Sequence, residues 1–128
     1  MRKSWWKILA VVCIIYAIIG GLLMPAPDDI GILAKTIRNL HYHVPMWFSM
    51  IILLVVSYVY GFKFLSSGNL QHDSMSSSFV KVSMHFGLMG LVTGSFWAGF
   101  TWGPWWIDDA KLNGAAQGML IYRSLIYI

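Results

Sequence analysis

The sequence is poor in charge and nearly empty of cysteine. Only 11% of its 128 residues are charged, five of them acidic. A soluble domain ordinarily carries about a quarter charged residues, so a fully water-facing surface is excluded. Cys13 is the single cysteine. It rules out an intramolecular disulfide, and no Cys-x-x-Cys-His sequence exists, so the chain is not a c-type cytochrome. Cys13 also lies in an apolar run, where a thiol acts as packing. No glycine-rich phosphate loop follows a strand pattern, and no serine, cysteine or carboxylate constellation suggests hydrolysis. Internal repeats and low-complexity segments are missing too. The basic residues are scattered, so the net charge of +4 implies no nucleic-acid partner.

Apolar side chains are what the chain has in abundance, at 58% hydrophobic and 16% aromatic. This composition predicts an all-α integral membrane protein, a single membrane domain over residues 1–128 with lipid around it. Three full transmembrane helices are expected, at about residues 5–24, 44–64 and 79–100, with an incomplete fourth at 113–128. Arg2, Lys3 and Lys7 precede the first run and place the N-terminus in the cytoplasm. That run is too long for a signal-peptide core, and Trp5 and Trp6 anchor it at the interface. Pro25 and Pro27 stop it. Residues 30–40 are expected to form a small amphipathic helix on the outer surface, with Asp28 and Asp29 as its caps. Pro45 opens the second span in its first turn. The polar residues 65–78 read as a cytoplasmic loop, because Lys63 and Lys81 flank them. The third span carries Gly87, Gly90, Gly94 and Gly99, which allow close helix approach, and His85, for which a bond to a neighbouring helix is the plain reading.

The stretch that organises the chain is the tryptophan-rich outer loop, residues 101–112, with Trp102, Trp105, Trp106, Asp108, Asp109 and Lys111. Indoles favour the level where hydrocarbon meets water, so a depth-setting aromatic belt is the plain reading. The sharper one is a surface that lays rings against a large planar ligand while charges meet its polar rim. His41 and His43 stand at the outer mouth of the second span. Residues two apart do not share a helix face, so only one of them can serve a given metal. Because one cytoplasmic loop separates the second and third spans, His43 and the tryptophan-rich loop open on the same outer face.

The run Trp102-Gly-Pro-Trp-Trp-Ile-Asp-Asp109-Ala-Lys-Leu112 resembles the WWD signature of haem-handling membrane proteins, W-G-x-W-W-x-W-D-A-R-L in the haem exporter protein C family. Lys111 stands where that family has Arg, and Asp108 where it has a further Trp. His41-Tyr42-His43-Val44-Pro45-Met46-Trp47 resembles the family's I-H-V-P-x-x-W. The resemblance implies haem b as cofactor, with His43 on the iron. Trp102, Trp105 and Trp106 would shelve the porphyrin beside Asp109, and Lys111 or Arg38 would meet its propionates. It further implies haem transfer for cytochrome c maturation at the bacterial inner membrane, without enzyme chemistry. The partners would be a periplasmic haem chaperone of the CcmE type, ABC transporter subunits and a small membrane subunit. Members have six spans, so this chain reads as an N-terminal part of one. A cytochrome c synthase of the WWD type, and a structural or inactive membrane subunit, stand as alternatives.

Overall fold

The computed structural model describes residues 4–25, 31 and 33–126, apart from the side chains of residues 35, 125 and 126. Asp28 and Asp29, expected as helix caps, lie outside the described residues, as do Arg2 and Lys3. The described chain is helical almost throughout: α1 (Trp5–Leu23), a short α2 (Leu33–Thr36), a 3-10 turn (Ile37–Asn39), α3 (Leu40–Ser67), α4 (Leu70–Trp102) and α5 (Ala110–Ile126). Three stretches, Trp5–Leu23, Ile37–Ser67 and Leu70–Trp102, are long and apolar enough to cross a membrane. The chain is an all-α, multi-pass membrane protein. In α5, 17 residues are described, below that spanning length.

Burial follows membrane logic. Among the described residues no large apolar side chain is buried; those that are buried include Ser57, Ser83 and Thr101, together with Gly21, Gly87 and Gly90. Hydrocarbon is as apolar as leucine, so helices gain by close backbone approach and interhelical hydrogen bonds instead of by hiding leucines. The antiparallel α3–α4 seam shows both. Ser57 Oγ donates to the Ser76 carbonyl at 2.9 Å, and Ser76 Oγ donates back to the Ser57 carbonyl at 2.9 Å. Further along, Gly87, Gly90 and Gly94 receive Met50, Trp47 and His43. At the far end Thr101 and Thr36 share a hydroxyl contact of 3.2 Å. Helix α1 meets the rest near its C-terminal end: Tyr42 donates to the Ile18 carbonyl and fills the space beside Gly21, and Arg38 Nε donates to the Met24 carbonyl at 3.1 Å.

Helix limits differ from the expectations in three places. Residues 65–78, expected as a loop, are helical except at Gly68 and Asn69. Gly68 takes φ 63°, the left-handed conformation that closes α3, while Asn69 Oδ1 accepts the Gln71 N–H and opens α4. The serines survive in helix because their hydroxyls bond back to carbonyls, as Ser66 and Ser67 do to Lys63 and Ser78 does to Ser74. The amphipathic segment near residue 35 runs straight into α3, so α3 starts at Leu40 and carries Pro45 inside it. The tryptophan-rich turn is tighter than residues 101–112. Thr101 and Trp102 end α4, Gly103 at φ 93° and Pro104 break it, and α5 resumes at Ala110.

Candidate functional site

His43 lies half-buried in the seam, one helix turn inside α3, with its ring against Gly94. A Cβ at Gly94 would stand 2.7 Å from His43 Cε1, so glycine is what admits the imidazole. Trp47, four residues on and hence on the same helix face, donates its Nε1–H to His43 Nε2 at 3.1 Å. An indole can only donate, so Nε2 carries the lone pair and the proton of the neutral ring sits on Nδ1. That Nδ1–H points to Thr93 Oγ1 at 3.2 Å, and the Thr93 hydroxyl in turn donates to the Met89 carbonyl at 2.8 Å. Trp97 stands beside the ring at 6.2 Å between centroids, and its own Nε1 is buried without a partner among the described residues. The result is an imidazole held in one tautomer, with its lone-pair nitrogen covered by an indole N–H. His41, two residues earlier, is exposed on another face.

The tryptophan-rich turn is fixed by its polar residues. Asp109 Oδ1 accepts the Lys111 N–H at 2.7 Å and its carbonyl accepts the Asn113 N–H, so Asp109 caps α5. Asp108 accepts from Asn113 Nδ2 at 2.6 Å, and Asn113 Oδ1 accepts the Trp106 Nε1–H at 3.1 Å. Trp105 lies on Gly99 of α4, edge-on to Phe96 and Phe100. Trp102, Trp105, Trp106 and Lys111 are all exposed. Arg38, a candidate propionate partner, is engaged with the end of α1.

The antiparallel hairpin therefore brings His43 and the tryptophan-rich turn to one end of the bundle. It does not bring them together on one flank. Gly94 and Phe96, which carry His43 and Trp105, are two residues apart and point about 160° from one another around α4. Sequence reasoning gave Trp47 no role beyond its place in the histidine motif, and overlooked Thr93, Trp97 and Asn113. The signal for Trp47 was available, since a histidine and a tryptophan four apart on one helix share a face.

Comparison with known proteins gives the family. A family model for Heme exporter protein C matches residues 1–128. The chain belongs to the Heme exporter protein C family. Its relatives include a cytochrome c biosynthesis ccmC-like mitochondrial protein of Arabidopsis thaliana, 32% identical over 89 residues, covering 70% of this chain and 35% of the relative. A ccmC-like mitochondrial protein of Marchantia polymorpha is 31% identical over 102 residues, 79% of this chain and 44% of the relative. Heme exporter protein C of Escherichia coli K12 is 28% identical over 130 residues, 95% of this chain and 49% of the relative. The chain thus spans less than half the length of these curated relatives. No solved structure gives a significant match.

Proposed function

We propose that this protein carries haem for cytochrome c maturation, holding haem b on His43 at the non-cytoplasmic face of the bacterial inner membrane. From there the haem passes to a periplasmic chaperone of the CcmE type, in company with ABC transporter subunits and a small membrane subunit. Haem is cargo in this reading, and the work is transport, not catalysis. The N-terminus and the Gly68–Asn69 turn face the cytoplasm, which agrees with Lys7, Lys63 and Lys81 at that end.

The observation that carries the reading is the tautomer of His43. Metal-binding histidines commonly have their second ring nitrogen engaged as a donor, which orients the ring and raises its basicity. Thr93 supplies that acceptor, and Nε2 is left as the ligand atom once Trp47 releases it. The unpaired Trp97 N–H beside the ring offers a hydrogen bond to an incoming polar group. Trp102, Trp105 and Trp106 form the shelf, and Lys111 meets a propionate. Asp109 acts by capping α5 below them. Since Trp105 rests on the other flank of α4, shelving requires the turn to fold over the helix end, pivoting at Gly103 and Pro104. Soret spectra of detergent-purified protein test this. Wild type retains haem and His43→Ala loses most of it. Equal, haem-free spectra would reject the reading and leave the tryptophans as interfacial anchors.

A further inference from the structure

The other flank of α4 holds a second histidine in a different setting. Between α4 and α5 lies a cleft of about 800 Å³, with Leu88, Leu91 and Leu120 among its apolar walls. This is within the range of about 300–1,000 Å³ that suits a small organic ligand. His85 and Lys81 line the cleft from α4 and Arg123 from α5, and among the described residues no Asp or Glu borders it. Trp106 also lines it, held by its bond to Asn113. His85 does not pair with a neighbouring helix: its Nδ1 meets the Lys81 carbonyl of its own helix at 2.7 Å. A carbonyl only accepts, so Nδ1 bears a proton, and in the neutral ring Nε2 then holds the lone pair, with no hydrogen-bond partner among the described residues.

We propose that this cleft is a second binding site, for a flat metalloporphyrin bearing carboxylates, with His85 Nε2 on the metal and Lys81 and Arg123 on the carboxylates. The proposal rests on the reading of haem as cargo and adds a separate station for it. Three features converge on this chemistry. An ionisable side chain within a membrane span is costly unless it has a task, and nothing else in the cleft uses this imidazole. A backbone carbonyl on Nδ1–H is a common orienting contact for a metal-bound histidine, and one imidazole is enough to hold haem iron, as in globins. Two cations and, among the described residues, no carboxylate in the lining select an anionic rim, and Arg in particular pairs with carboxylate through two parallel bonds. A phospholipid would satisfy the apolar walls and the cations but leave the imidazole idle.

The cleft and His43 lie on different flanks of α4, so the two stations are separable by mutation. Hemin titration of the full-chain His43→Ala protein in detergent is expected to show a remaining haem with a single-imidazole spectrum. Adding His85→Ala should weaken that binding at least tenfold, whereas iron-free protoporphyrin IX should bind both proteins alike, which shows that the fold is intact. Replacing Lys81 and Arg123 by Gln should weaken hemin and protoporphyrin together, and hemin dimethyl ester should be insensitive to that change. Identical hemin spectra with and without His85 would overturn the proposal, as would displacement of protoporphyrin by phosphatidylglycerol at equal concentration. Haem bound by wild type and lost wholly in His43→Ala would overturn this site and leave the first standing. Haem kept wholly in His43→Ala and lost in His85→Ala would do the reverse.

Discussion

The two flanks of α4 treat the same side chain in opposite ways. Against α3, three glycines draw the helices together, and His43 is wedged between them with both ring nitrogens engaged. Against α5, the helices leave a cleft, and among the described residues His85 bonds only to its own helix's backbone. The difference teaches that a histidine's readiness to bind metal is set by what its neighbours do with the remaining nitrogen, more than by its depth in the membrane. On the seam that nitrogen is covered by an indole, so the proposed binding there would require a local opening. On the cleft side it has no partner among the described residues, so the proposed binding there would require only a ligand that fits.

The largest effect is expected from closing the space that admits His43. In Gly94→Ala the new methyl meets the imidazole at 2.7 Å, and a ring between two helices has little room to retreat. Overpacking of this kind costs about 1–3 kcal/mol. It should lower the midpoint of unfolding in mixed micelles, followed by circular dichroism, and uncouple Trp47 from His43. An unchanged midpoint would show that the seam yields and is no tighter than the cleft. A smaller effect of opposite sense is expected from Trp47→Phe, which keeps a ring but removes the N–H that covers Nε2. A hydrogen bond of this type contributes about 0.5–1.5 kcal/mol net, so hemin affinity at His43 should rise by up to about tenfold. Weaker hemin binding in that variant would mean that the indole serves the bound state and is no lid.

The helices were legible because membrane burial writes itself as long apolar runs, and the glycine row of α4 was legible as a contact face for the same reason. The helix limits were not, because polarity was taken as a sign of loop. Residues 65–78 are polar yet mostly helical, since serine hydroxyls return to the carbonyls one turn back and two residues, Gly68 and Asn69, suffice to stop one helix and start the next. Pro45 suggested a helix start, whereas α3 begins at Leu40 and sets His43 and Trp47 on one face. The residue types of the candidate site were readable, but their grouping was not. Which flank of α4 a loop residue settles on depends on tertiary packing, and Trp105 finds Gly99 and two phenylalanines there. Asp108, which departs from the family pattern by replacing a ring, turns out to steady another ring through Asn113.

That relay makes the last and smallest prediction, and it tests whether the two flanks are independent. Asn113→Ala removes the acceptor of Trp106 and the donor to Asp108 at once. Both contacts are exposed, so water replaces them and the cost to the fold stays at or below about 1 kcal/mol. The consequence should be local: faster backbone hydrogen exchange over residues 103–113, with residues 87–94 on the seam unaffected. Because Trp106 borders the cleft, the same variant should weaken porphyrin binding there and leave the His43–Trp47 pair untouched. Faster exchange on the seam as well would mean that the turn clamps both flanks, and the separation of the two histidines would then be one of position alone.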